Sequence, residues 1–472
     1  MGLVPLNRQK NNSYRKKTFM TEKNSSRLPL SPYVEGLRDF IRTSPTAFHA
    51  ADSIRRALLS EGFTELSEAD RWDLKKGGKY FAMRHGSSII AFRIGHELEG
   101  YGFMIAASHS DSPCFKLKEN EEIRGGGNCL QLNTEGYGGM ICPSWMDRPL
   151  SVAGRVLIRE KDEDGSDVYR QKLIDLDRDL VLIPNLSIHM NRKVNDGYAY
   201  NKQVDMLPLF GESDTPDGTF LRMAAEAAGA DPEAVMGSDL YLYNRTPSSI
   251  WGANEEFFSS SRIDDLECAY TTLQGFLEGG CDMGIQVYAC FDNEEVGSVT
   301  GQGAASTFFK NVLYRAAQAM GMDDEGYCCM TARSFMLSCD NAHAVHPNHP
   351  EKTDKTNCAS MNGGIVIKSH AGQKYTSGGL SIALFKGICE KAGVPVQYFS
   401  NRSDMMGGST LGNIAMRQVS MPTVDIGLAQ LAMHSAYETT GIRDIDHMIR
   451  ACRQFFKSAV TLTGDGTTIV RS

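Results

Sequence analysis

The sequence predicts an α/β protein interrupted by a β-rich insertion, and three observations carry that expectation. Short apolar runs at 102–107, 285–291, 335–338, 364–368, 394–399 and 422–426 alternate with longer amphipathic stretches, the pattern of strands joined by helices. The run at 285–291 (IQVYACF) has little polar interruption, as expected of a strand buried on both faces of a parallel sheet. After Pro113 the texture changes: residues 114–207 form short alternating segments broken by glycine turns at 125–128, 135–139 and 163–165.

Composition narrows the class. The chain has 472 residues, enough for two or more domains or one large domain with an insertion. A net charge of -8 leaves no basic surplus to neutralise phosphates, which argues against nucleic acid as a partner. No apolar run approaches the roughly 18 residues of a membrane span, so no membrane partner is expected. Twelve cysteines are scattered without a CxxC pair and read as reduced thiols in the cytoplasm. Residues 1–27 are basic and polar with no apolar signal core, so a disordered tail is expected, with Met20 a candidate start.

In chain order, Val34, Leu37, Phe40 and Ile41 space a first helix, and a break at Ser44-Pro45 precedes a second at 47–59. His49 lies on that second helix, where a surface or packing role is expected. Residues 79–94 alternate like a hairpin, with His85 and His96 in its turns. The strand at 102–107 runs into Ser108-His109-Ser110-Asp111. His109 and Asp111 share a face, and a carboxylate beside a histidine is a common ligand pair. In the insertion, 151–159 and 179–183 read as strands and 221–228 as a helix. His189 follows an apolar stretch there, and by itself reads as an ordinary half-buried histidine. SRIDDL at 261–266 opens a helix with Ser261 as a possible cap and Asp264 and Asp265 in the first turn. Capping explains one carboxylate, but not easily two beside Arg262. Further helices are expected at 300–320 and 378–392 and a last one at 444–463.

The segment 285–297 is where chemistry enters. Asp292, Glu294 and Glu295 crowd the end of a buried strand, repel one another, and are costly to desolvate unless a divalent cation offsets them. Taken alone, the segment is equally compatible with a solvated acidic turn. In a tight turn one glutamate can hold a metal while the other takes a proton from water. Other strand ends deliver His109, Asp111, Asp340 and His434, and the helix start delivers Asp264. Two histidines with several carboxylates and no cysteine suit a catalytic pair of zinc, cobalt or manganese ions.

ASHSDSP at 107–113, IPNLSIHMNR at 183–192, SRIDDL, FDNEEVGS at 291–298, SCDNAHAVHPN at 338–348, VIK at 366–368 and LAMHS at 431–435 together carry a likeness. In them the chain resembles the aspartyl aminopeptidase family, the dinuclear zinc aminopeptidases of the aminopeptidase I type. The resemblance implies a mixed-sheet α/β/α zinc-exopeptidase domain at 28–113 and 253–472, with a β-rich dimerisation domain inserted at 114–252. It implies two divalent ions per subunit, zinc first and cobalt or manganese as alternatives. His109 and Asp340 would bind one, Glu295 and His434 the other, and Asp264 would bridge. Glu294 would be general base and acid, and Asp111 would orient a ligand. His189 would reach a neighbouring subunit's site and steady an oxyanion. Lys368, and with it His346, would face the substrate, a lysine suiting an acidic first residue. The implied assembly is a homo-oligomer, a dodecamer built from dimers.

The expected activity is therefore a metalloaminopeptidase that removes an N-terminal aspartate or glutamate from peptides. One departure widens this expectation. Where the family carries threonine-proline-cysteine-glycine, this chain has Asp404-Met405-Met406-Gly407-Gly408, a softer and more apolar wall that extends the preference to neutral first residues. Two other readings compete. A carboxypeptidase or deacylase on the same fold would need a basic residue placed for a free carboxylate, which the motifs do not supply. A catalytically idle self-assembling scaffold would be expected to have lost ligands, and none is missing.

Overall fold

A computed structural model describes residues 31–463 and 465–471, so the tail expected at 1–27 lies outside the described residues. The central sheet has nine strands in the spatial order Thr64–Leu66, Lys79–Arg84, Ser88–Ile94, Ile285–Phe291, Phe103–His109, Phe335–Cys339, Thr423–Gly427, Ile365–Lys368, Val396–Phe399. It is mixed. Ile285–Phe291, Phe103–His109, Phe335–Cys339 and Thr423–Gly427 run parallel, while Ser88–Ile94 and Ile365–Lys368 pair antiparallel to their inner neighbours.

Alternation along Ile285–Phe291 shows why the sheet is covered twice. Val287, Ala289 and Phe291 join a core with Phe308, Phe309, Val312 and Leu313 of the helix Phe308–Ala319. Tyr288 and Cys290 face the opposite core, with Leu266 and Leu273 of Ile263–Glu278 and Ile445 and Ile449 of Ile442–Phe456. Every residue of the strand is buried, as expected for a sheet between two helical layers.

The insertion builds its own sheet. Six antiparallel strands lie in the order Asp167–Asp175, Leu150–Lys161, Val235–Asn244, Cys114–Arg124, Cys129–Tyr137, Leu209–Glu212. Their apolar face packs on Phe220 and Ala224 of the helix Thr219–Ala228. A third sheet joins Ser249–Trp251, Phe257–Ser260, Glu438–Gly441, Ala429–Leu431 and Ala342–His343 and lies next to the ligand-bearing loops in sequence.

Four local expectations change. The helix expected at 300–320 begins only at Phe308, because Thr300 Oγ1 and Gln302 Nε2 bond the side-chain oxygen of Asn293 at 2.7 and 2.8 Å and hold the preceding segment as a brace for the acidic turn. The last helix ends at Phe456, and the β-branched residues after it form the hairpin Ala459–Leu462 with Thr468–Arg471. Residues 179–183 make only isolated bridges, to Leu150, Met146 and Leu209, before Pro184 ends the pairing. Ser261 does not cap its helix: Arg262 has a left-handed φ of 58°, and Asp264 and Asp265 are not helical.

Candidate metal centre

The carboxyl ends of three parallel strands lie side by side, and His109 pairs with Phe291 at that edge. The start of Ile263–Glu278 and the turn after Ala429–Leu431 meet them there. His109 Nε2 lies 3.5 Å from Asp264 Oδ1. His434, in a turn with φ 67°, places Nε2 3.4 Å from both Asp264 Oδ2 and Glu295 Oε1. Ligand atoms of His109, Asp264, Asp265 and Asp340 lie within 4.8 Å of one another, as do those of Asp264, Glu295 and His434. Asp264 belongs to both groups, one oxygen toward each histidine.

Each of these side chains is held from behind. His109 Nδ1 faces the Asp111 carbonyl at 3.1 Å and Asp111 Oδ1 at 3.3 Å, which leaves Nε2 free as a ligand atom. His434 Nδ1 lies 2.9 Å from the Gly139 carbonyl, with the same consequence. The Asp111 carboxylate accepts the backbone N–H groups of Glu294 and Glu295, both at 3.1 Å, and so sets the acidic turn. Glu438 accepts the backbone N–H groups of Asp264 at 3.0 Å and His434 at 2.7 Å. The turn itself is made by Asn293 and Gly297, with φ 64° and 98°. Gly427 lets its strand pass the ligand loop, since a Cβ there would meet the Asp340 carbonyl oxygen at 2.0 Å.

The electrostatics are those of too much acid in too little water. Burial, reinforced by neighbouring carboxylates, pushes Glu294 and Glu438 up to about 8, and Glu295 and Asp265 well above the carboxylate range. Burial also raises Asp340, against the pull of Lys368. Asp264 goes the other way: burial opposes its charge, but His109 and His434 overcome that and hold it low. His434 rises to about 9, burial being outweighed by Asp264. Among the described residues, the buried Asp264 Oδ1 and Asp265 Oδ1 have no hydrogen-bond partner. Orphaned carboxylate oxygens converging with free imidazole nitrogens are the donor set that divalent zinc satisfies, so the residues present fit that metal.

The model of the aminopeptidase I zinc metalloprotease family, M18, matches residues 40–456. The chain belongs to the M18 aminopeptidase family. A probable M18 family aminopeptidase 2 of Clostridium acetobutylicum is 43% identical over 429 residues, 90% of this chain and 98% of that protein. Among solved structures, a chain of the Ape4 and Nbr1 complex superposes with TM-score 0.85 at 34% identity, covering 90% of this chain and 85% of the other. The S. cerevisiae mApe1 dodecamer superposes with TM-score 0.78 at 25% identity, over 90% and 96%.

In this M18 aminopeptidase the fold brings together His109, Asp264, Glu295, Asp340 and His434, with Glu294 in the adjoining turn and Asp111 behind it. The sequence marks Asp265 as a carboxylate that capping does not explain but gives it no ligand role, and it joins the first group; Glu438, Tyr137 and Gly139, which support the two groups, were assigned no role. The adjacent acid in SRIDDL was the available signal for Asp265; Tyr137 and Gly139, in the glycine turn at 135–139, gave none. Lys368 departs from expectation. It is buried, and its ammonium donates to the carbonyls of Asp340 at 2.8 Å and Asn341 at 3.2 Å, 3.5 Å from Asp340 Oδ2, rather than facing open substrate space. With so many acids unpaired nearby, the strand's lysine is drawn inward. His346 is exposed and lines a cavity of about 250 Å³ with His343, Lys352, Met405 and Met406. His189 lies on an exposed turn outside both ligand groups of its own chain, beside exposed Leu186, Ile188 and Met190.

Proposed function

We propose that this M18 aminopeptidase removes the N-terminal residue of peptides with two divalent ions, zinc foremost, held by His109, Asp340, Glu295 and His434 and shared through Asp264. The observation that carries the two-ion reading is Asp264 itself, with one oxygen toward each histidine. Asp265 stands beside His109 as a further carboxylate of the first group. Zinc bound there supplies Lewis acidity, polarising a carbonyl oxygen and lowering the pKa of water.

The protein's own groups do the rest. Glu294 is half-buried next to the ligands, and its raised affinity for a proton suits a group that takes one from water and returns it to the leaving amine. Asp111 fixes the turn that carries it. His189 of a neighbouring copy donates to the oxygen that becomes negative as the carbonyl is attacked, within a homo-oligomer of dimers, the dodecamer being the form drawn from the family. The first residue's side chain enters the cavity lined by His346, Lys352 and the two methionines; cations and imidazoles there favour aspartate and glutamate, and the methionines admit neutral residues. All twelve cysteines are free thiols, which supports a cytoplasmic setting.

A panel of aminoacyl anilides assayed with zinc, cobalt and manganese tests this reading. Asp- and Glu-anilides should lead. A wide margin for Leu-anilide would overturn the acidic preference, and metal analysis giving one ion per chain would overturn the shared aspartate.

A further inference from the structure

Four residues of the insertion, within the stretch 137–141, lie against the metal centre. Tyr137 ends the strand Cys129–Tyr137, and its hydroxyl donates to Asp111 Oδ2 at 2.7 Å while accepting from Asn293 Nδ2 at 2.8 Å. Its ring is fixed within the inserted sheet by an edge-on contact with Tyr241, centroids 5.8 Å apart. Gly138 follows with φ 74°, and a Cβ there would come within 3.1 Å of Glu295 Cβ. The Gly139 carbonyl faces His434 Nδ1, and Ile141 N–H donates to the His434 carbonyl at 2.9 Å. Met140 turns back into the core of the insertion. One short segment therefore touches the orienting acid of His109, the glutamate of the second group and both ends of the second histidine.

We infer that residues 137–141 are a working wall of the metal centre, with Tyr137 a positioning residue that sets Asp111 and through it His109 and the Glu294–Glu295 turn. The inference rests on the two-ion reading above. Asp111 must bond three things at once: one imidazole nitrogen and two backbone N–H groups. Oδ1 meets the imidazole and the Glu294 N–H, Oδ2 takes the Glu295 N–H, and the Tyr137 hydroxyl adds the shortest of these contacts, at 2.7 Å, as the second bond on Oδ2. A group behind a metal-ligating histidine sets ring angle and ligand basicity, and losing such a partner typically costs about 10–100-fold in metal affinity or activity. The insertion is then part of the catalytic unit as well as a separate sheet.

The test is Tyr137→Phe in the full chain, which keeps the ring contact and removes only the hydroxyl. Zinc affinity is read by competition with a chelator, alongside kcat, KM and Tm. The expected result is zinc held about 10–100-fold more weakly and kcat lowered about 10-fold or more, with KM and metal-saturated Tm close to wild type. Zinc affinity and kcat both within twofold of wild type would overturn the inference, and so would a fall in Tm and activity with zinc affinity intact. If the variant does not accumulate folded, Gly138→Ala probes the same wall through Glu295. Weakened zinc binding there supports the inference, and wild-type binding overturns it. Failure of wild-type protein to bind zinc would instead sink the two-ion reading itself.

Discussion

The central and the inserted sheets treat charge in opposite ways. In the insertion, acids meet bases near the surface. Asp239 lies 2.7 Å from Lys116 and 2.8 Å from Arg155, and Arg245 bonds Asp177 at 2.9 Å and also Asp179. At the edge of the central sheet, Asp264, Asp265 and Asp340 are buried with ligand atoms within 4.8 Å of one another and buried Glu438 bonded to the Asp264 N–H, with Lys368 the buried lysine set against them. Pairs of the first kind are worth little and cost little. A cluster of the second kind is costly to form and is kept where something outside the chain completes it. The contrast separates scaffold from working site without reference to any motif.

The largest effect that would sharpen this contrast is on rate. Glu294→Gln removes the proton acceptor while leaving a similar shape, so kcat should fall by about 10²–10⁴-fold with zinc content and assembly unchanged. A rate near wild type would remove Glu294 as the base. Next is stability. Lys368→Met strands Asp340 without its buried cation and should cost about 3–5 kcal/mol in urea unfolding of the zinc-free protein. The matching change in the insertion, Lys116→Met, should cost about 1 kcal/mol or less. Equal costs would break the comparison. His189→Ala should lower kcat about 10²–10³-fold without releasing zinc. Released zinc would contradict the role at a neighbouring subunit's centre.

The smallest expected effect is a pH dependence in the insertion. Burial raises the Asp239 carboxyl, but hydrogen bonds from Lys116 and Arg155 overcome this and hold it below the ordinary carboxylate range. A depressed folded pKa adds stability above the unfolded value of about 3.9, which is lost as pH falls through the folded one. Asp239→Asn should therefore be about 1 kcal/mol less stable than wild type near pH 6, with the gap closing in acid. A gap that persists below pH ~3 would show that packing, not charge, makes the contribution.

Local reasoning reached furthest where one interaction dominates. Apolar runs such as 285–291 became buried strands because nothing nearby competes with burial. It reached less far where a distant group intervened. The helix expected from Thr300 starts late because Thr300 and Gln302 are needed to brace Asn293. Ser261 does not cap, and the Asp264 N–H beyond it is taken by Glu438, some 174 positions away in the chain. The resemblance implies that Lys368 faces the substrate's side chain. Its inward turn follows from an acid excess that becomes apparent only when the strand ends are brought together.

Read alone, the chain settles which residue types stand at which strand ends, because an apolar run stopped by acid or histidine is a local pattern whose cost is local. Tertiary structure decides which of those residues meet. Asp264 faces two histidines 155 and 170 positions away, Asp265 joins the group, and Tyr137 and Gly139 reach it from another sheet. Those contacts depend on sheet order and on how the insertion docks, and both are set by burial summed over hundreds of residues, which no short stretch of sequence records.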